Sequence, residues 1–520
     1  MTDRAKKPIG RALPRLAGLA LVLLFACVPP ARTEAVGRLV LTVVDKDSGK
    51  PIPCRMHLLR GNGTPVNPRR VPFHHDHFVF DGTIDLKLPK GQYSFELERG
   101  PEYVTRSGHF TINDFADDVK TVALARFVDM SADGWWSGEL CVGRPAKDVP
   151  LLMRAEDLHI LPILTWSNAE MPAGVAAAGG EAEVVRFDEN RYYSLSAGRW
   201  IWPGGELLCF HSHGAPAMGK PDEEYPAPIA ALLSDGSPSD RRWIDLSKPY
   251  WWDLPLLVAH GKVYSIGIAH DRILREDVLP EEPSARPKER ALYPPPFGVP
   301  RYTQDVYFRL LECGFRIPPS AASGSGFGPN PVGYNRMYVF VDGEFNYDTW
   351  WEGFRAGRAT ITNGPLLRPS VDGYPPGHVF EISKADPVEF EIGLTLSTRQ
   401  PISYLEIIKN GEVIHSIRFD EYAKSGRLPT VPFDDSGWFL VRAVTDLPKT
   451  YRFAMTAPYY VVADGKPRVN PEAVRFFIDW LYERARHLAA LPDTPDRKAL
   501  IDYHRQARDF WKSLEEESRR

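Results

Sequence analysis

The apolar residues of this chain change period along its length, and that change limits the architecture more than any other feature. From 37 to 126 they alternate. Leu39, Leu41 and Val43 interleave with Val40, Thr42 and Val44, which predicts a strand covered on both faces. Cys54, Met56 and Leu58 alternate again after the turn at Asp47-Ser48-Gly49, and Asp81-Gly82 precedes a strand at Ile84 to Leu88. From 127 to about 367, short β-like runs (Ile160 to Leu164, Leu207 to Phe210, Tyr264 to Ala269) are separated by helix-compatible stretches. The loops Pro172 to Glu181 and Pro280 to Pro300 interrupt them further. Strands alternating with helices point to an α/β unit. From 368 to 462 the two-residue period returns in Phe390, Ile392 and Leu394, with Lys409-Asn410-Gly411-Glu412 as a hairpin turn. After Asn470-Pro471, an N-cap and first-turn proline, Val474, Phe477, Ile478, Leu481, Ala485 and Leu488 follow helical spacing. Thr494-Pro495 opens a second helix with Leu500, Tyr503, Ala507, Phe510 and Leu514 on one side. The expected fold class is therefore multidomain α/β plus β. The expected units are 37–126 (β-sandwich), 127–367 (β/α barrel), 368–462 (β-sandwich) and 463–520 (helical hairpin).

Only one long apolar run exists, Leu16 to Val28, behind the basic residues Arg4, Lys6, Lys7, Arg11 and Arg15. It is short for a bilayer span and is followed by Thr33-Glu34-Ala35, so 1–35 reads as a secretory signal peptide. This predicts export to the periplasm or beyond, with no membrane span after cleavage. A second reading makes Cys27 the lipidated residue of an anchored form. Four cysteines then remain, Cys54, Cys141, Cys209 and Cys313, too few and too scattered for a disulfide scaffold or a structural zinc site. Lys+Arg 63 against Asp+Glu 67 leaves no basic excess for a polyanion, so nucleic acid is not an expected partner. A small molecule or an extracellular polymer is. Ten of the 13 tryptophans fall between Trp135 and Trp351, including the pairs 135–136, 251–252 and 350–351. Tryptophan is mostly buried, so these read first as packing and second as faces for flat ligands.

Candidate chemistry is concentrated in a few places. Glu206 precedes His211 and His213, an H-x-H that puts two imidazoles on one face of an extended segment and makes the three residues candidate metal ligands. His270-Asp271 ends the Tyr264 to Ala269 strand, where barrel sites are built, and is the candidate general acid–base pair. His74-His75-Asp76-His77 offers at most two converging groups if extended, and reads as a loop before Phe78 to Phe80. Asp253 and Lys248 flank a tryptophan pair and read as structural ion-pairing groups.

Longer stretches carry a family resemblance. Trp135-Trp136-Ser137-Gly138-Glu139-Leu140-Cys141-Val142-Gly143-Arg144-Pro145, Asp245 to Asp253, Asn330 to Arg336 and Gly357 to Leu367 resemble the secreted CehA/McbA-type metallohydrolases of the PHP (polymerase and histidinol phosphatase) superfamily. The order of the N-terminal strands resembles the transthyretin-like, or carboxypeptidase regulatory-like, sandwich. The resemblance implies a distorted β/α barrel carrying a divalent metal (zinc, manganese or iron) and hydrolysing ester, phosphoester or amide bonds. It also implies that the metal site is degenerate. Active relatives carry G-D-x-H-x-H, where this chain has Glu139, Cys141 and Gly143. They carry T-D-H-N, where this chain has Thr165-Trp166-Ser167-Asn168, and G-S-D-x-H, where it has glycine at 324 and 326. Glu206 matches the family's G-x-E element. Sequence thus leads to a catalytically impaired family member. The alternatives are a hydrolase with a rearranged metal site and a glycan- or polymer-binding scaffold. At most two of Glu206, His211, His213 and His270 are expected to reach the cleft.

Overall fold

The computed structural model describes residues 36–175, 184–212, 215–234 and 242–519. The leader with Cys27, and His213, lie outside the described residues. The chain is mostly β-sheet with several helices, and its strands fall into more than one sheet.

The N-terminal part forms two sheets around one core. In the first, Val36–Asp45 lies between Thr83–Pro89 (antiparallel) and Asp117–Leu124 (parallel). In the second, Cys54–Arg60 lies between His77–Phe80 and Gly91–Glu98. Leu39, Leu41 and Val43 face inward onto Met56, Leu58 and Phe78. Val40, Thr42 and Val44 are only half-buried, so the first strand has one core face rather than the two expected.

The central part is a ring of seven strands. Trp135–Gly138, Ile160–Ser167, Arg191–Trp202, Gly205–Phe210, Trp243–Leu246, Ser265–Ala269 and Pro319–Ala321 neighbour one another in that order. All run parallel except Gly205–Phe210, which is antiparallel to both neighbours. The ring closes beyond the first and last strands, where Leu140 N donates to Ala321 O (3.1 Å) and Gly143 N to Ser325 O (2.9 Å). Closure removes the exposed edges that an open sheet would present. Val149–Ala155, Leu254–Ala259 and Gly298–Glu312 are helices in the connections.

From Trp135–Gly138 the sheet also continues away from the ring, through Arg336–Phe340, Ala359–Thr362 and Phe453–Thr456 to Gly437–Thr445 and Ile402–Lys409. Backbone pairing such as Ile361 with Met455 therefore crosses the expected boundary at 367. The Asn410-Gly411 turn forms as read, with both residues at positive φ (50° and 83°) and Lys409 paired with Glu412.

Two helices close the chain, Pro471–Ala489 and Pro495–Glu517. The Asn470 side chain accepts from Glu472 N (2.9 Å) and the Thr494 hydroxyl from Arg497 N (3.2 Å), so both caps act as predicted. On the second helix the inward aromatic is Trp511, whose Nε1 donates to Pro255 O at 2.9 Å. The expected Phe510 is 39% exposed. Leu500, His504, Ala507 and Trp511 share a face at helical spacing, and Phe510 falls beside it.

Candidate functional site

Strand direction puts one end of six parallel strands and the opposite end of Gly205–Phe210 at the same mouth of the ring. Cys141, Trp166, Arg199, Glu206, Lys248, Asp271 and Gly324 all lie there. Their charges form one cluster. Arg199 donates to Glu206 Oε2 at 3.0 Å. Lys248, 1% exposed, holds its ammonium 3.0 Å from Asp271, 3.0 Å from Glu282 and 3.8 Å from Glu206. Three carboxylates suit the three protons of an ammonium. Burial alone would favour neutral Lys248, but Asp271, Glu206 and Glu282 raise its pKa well above the lysine range. Burial likewise opposes ionisation of Glu206 and Asp271. Arg199 and Lys248 hold Glu206 below the usual carboxylate range, and Lys248 takes Asp271 to about 2.

Two further acids line the ring interior. Asp245 accepts from the hydroxyls of Ser265 (2.6 Å) and Ser320 (2.5 Å), and burial pushes it up to about 6. Glu139 accepts from Ser323 N and Oγ, each at 2.8 Å, and from Gly333 N. Burial raises it to about 8. Burial also pushes the Cys141 thiol well above its usual range.

Among the described residues, His270 turns away from this cluster. His270 Nδ1 accepts from Arg272 N (3.3 Å), which leaves Nε2 to donate to Thr303 Oγ1 at 3.0 Å. Its ring is a satisfied core group, taken down to about 3 by burial, and it does not pair with Asp271. The acid–base pair read from their adjacency is thereby corrected: one side chain turns to the helix Gly298–Glu312, the other to Lys248. His211 Nε2 lies 3.0 Å from the Tyr347 hydroxyl and its ring meets Trp351 edge-on at 4.6 Å. His211 lies just past the end of the Gly205–Phe210 strand, at φ 54°. Of the described candidates, Glu206 and Asp271 converge on Lys248.

Whether the residues fit the metal cluster implied by the resemblance can be tested at the glycines. A Cβ at Gly143 would lie 2.7 Å from the Phe327 ring and 3.0 Å from Pro172. One at Gly326 would lie 2.0 Å from the Gly143 carbonyl oxygen, and one at Gly324 would lie 2.7 Å from Asp271 Cβ. Backbone and rings fill the space that ligand side chains would need. With Glu206 and Asp271 already neutralised by protein cations, the donor set does not fit a divalent metal at this mouth.

Beside the cluster lies a cleft of about 1030 Å³, bounded by Pro203, Trp252, Leu279, Glu282, Pro287 and His487. Glu282 belongs to both, facing Lys248 on one side and the cleft on the other. Eight of the ten tryptophans between 135 and 351 are buried; Trp136 stacks on Phe345, and Trp252 is the one that lines the cleft.

Sequence reading missed one cluster. His74-His75-Asp76-His77 is a tight hairpin, with His74 paired to His77 and His75 at φ 53°. It brings Asp76 and His77 to His57 on the adjacent strand, where all three ligand-type groups lie within 4.8 Å of one another. The Asp76 carboxylate sits 3.0 Å from His77 Nδ1 and 3.3 Å from His57 Nδ1. The signal was His57, three residues into a predicted strand, but its register against His77 was not legible.

The chain matches no family model and no curated protein. Among solved structures it is similar to the Bacillus anthracis TIE protein over 22% of this chain, at 21% identity and a TM-score of 0.15. The match spans about a fifth of that protein's length (20%) and carries no argument about fold or activity.

Proposed function

We propose that the chain is an exported, non-catalytic CehA/McbA-like member of the PHP superfamily, in which protein cations have replaced the metal centre and the barrel mouth serves to bind an extracellular polymer. The seven-strand ring with one antiparallel member supports the PHP-like reading, and the two-sheet N-terminal unit supports the transthyretin-like one. The observation that carries the functional reading is Lys248, whose ammonium stands among Glu206, Asp271 and Glu282. A fixed ammonium neutralises carboxylates as a divalent ion does, but it offers no open coordination position to activate water. The neighbouring cleft has the size of a ligand site and presents one tryptophan face, Trp252, with proline walls. Among the described residues no helix is long and apolar enough to cross a membrane.

Metal analysis of the purified mature chain tests this reading. It expects no stoichiometric zinc, manganese or iron. A chelator-sensitive stoichiometric metal that disappears in Glu206→Gln would overturn it and restore the hydrolase. Retention on immobilised polysaccharides, reduced in Trp252→Ala, is the expected positive result. Equal retention of both proteins would remove the cleft from the proposal.

A further inference from the structure

A second charged cavity lies where the N-terminal sheets, the ring and the C-terminal sheet meet, away from the mouth cluster. Its volume is about 30 Å³, and its walls include Arg55, Arg275, Arg336, Arg399 and Arg452 with only two carboxylates, Glu98 and Glu156. The carboxylates are already engaged. Arg55 bridges Glu156 (2.5 Å) and Glu98. Arg275 pairs with Glu96 and Glu276 and lies 3.7 Å from Glu98. Arg399 reaches Glu98 at 3.4 Å and Thr105 at 2.7 Å.

Arg336 and Arg452 have no carboxylate partner among the described residues. Arg336 is 1% exposed. Its Nε donates to Gly333 O (2.5 Å) and its Nη2 to Glu156 O (3.0 Å), while Nη1 is buried without a partner. Arg452 donates from Nη2 to Arg275 O at 3.3 Å, and its Nε is likewise buried and unpartnered. Glu139, the next acid near Arg336, is committed to Ser323 and Gly333.

The Arg336 guanidinium is buried with no carboxylate at ion-pair distance among the described residues, which is costly to fold, and half-buried Arg452 adds a further positive charge to the same cavity wall. The cavity holds on the order of two or three water-sized spheres, enough for a compact anion and too little for an organic substrate. Guanidinium forks match the geometry of tetrahedral oxyanions. We propose that this junction binds one inorganic oxyanion of the phosphate or sulfate type, held by Arg336 and Arg452, which fastens the three parts of the molecule together. The proposal is independent of the reading of the ring mouth.

The test uses the full mature chain dialysed free of oxyanions. Calorimetric titration and thermal unfolding are run with inorganic phosphate, sulfate and chloride at matched ionic strength. A single-site isotherm for phosphate or sulfate, with a saturating rise in Tm that chloride does not reproduce, is expected. Arg452→Gln should weaken that binding at least tenfold, and Arg452→Lys less. A Tm response equal in chloride, or phosphate binding undiminished in Arg452→Gln, means an adventitious ion only and overturns the site. Should Arg452→Gln fail to fold, the wild-type isotherm decides, since absence of saturable oxyanion binding refutes the proposal by itself.

Discussion

Lys248 and Asp271, from the ends of adjacent parallel strands, meet across 3.0 Å at the mouth of the ring. The ammonium is also shared with Glu206 and Glu282, so removing it leaves Asp271 without this partner, Glu206 with Arg199 and Glu282 with Arg272 at 3.9 Å. Lys248→Met should destabilise the protein by about 3–5 kcal/mol in urea unfolding, the range for breaking a buried pair from one side. Adding Asp271→Asn to that variant should recover part of the loss. A change below about 1 kcal/mol for the single variant would mean the ammonium is solvated and not central.

Acid should unfold this protein through its histidines. Burial takes His77, His159 and His270 down to about 3 and His504 to about 4, so all four are neutral when folded at pH 7. The unfolded chain binds these protons from about pH 6.5 downward and the folded chain does not. Stability is therefore intact above pH 6.5 and lost as pH falls toward 3–4, at up to about 1.4 kcal/mol per pH unit for each proton. In urea titrations between pH 4 and 6, His270→Gln should lower the pH slope by one proton. An unchanged slope would place His270 in solvent.

Restoring a family histidine should not restore a metal. Gly143→His would force its Cβ against Phe327 and Pro172. The expected outcome is a lower Tm and no gain in bound zinc by elemental analysis. Gly326→Ala, at φ 100° with a carbonyl 2.0 Å from the new Cβ, should cost at least about 2 kcal/mol. A stable, zinc-loaded Gly143→His protein would show that the mouth can open.

The two neighbouring aromatics on the last helix should behave oppositely. Trp511→Ala removes a fully buried ring and its bond to Pro255 O, and should cost about 3–5 kcal/mol. Phe510→Ala should cost less than about 1 kcal/mol. Comparable losses at both positions would mean the helix sits rotated from its described face.

What the sequence determined by itself is local. The Asn410-Gly411 hairpin, the caps at Asn470 and Thr494 and the alternation of Leu39, Leu41 and Val43 each depend on a few adjacent residues. Short-range sterics and hydrogen bonding write them directly into the order of side chains. The fold class at its coarse level followed from the same periods. Tertiary structure alone decided the sites. Closure of the ring through Leu140 and Ala321, the register that sets His57 against His77, and the turn of His270 toward Thr303 rather than Asp271 all join residues far apart in the chain or choose between rotations of one side chain. Lys248 read from sequence as a structural ion-pairing residue. Its place among three carboxylates came from strands that meet only once the ring has formed. A one-dimensional pattern specifies which face a residue occupies, but the charge it meets there depends on packing, because electrostatic partners are selected by distance in space and not by separation along the chain.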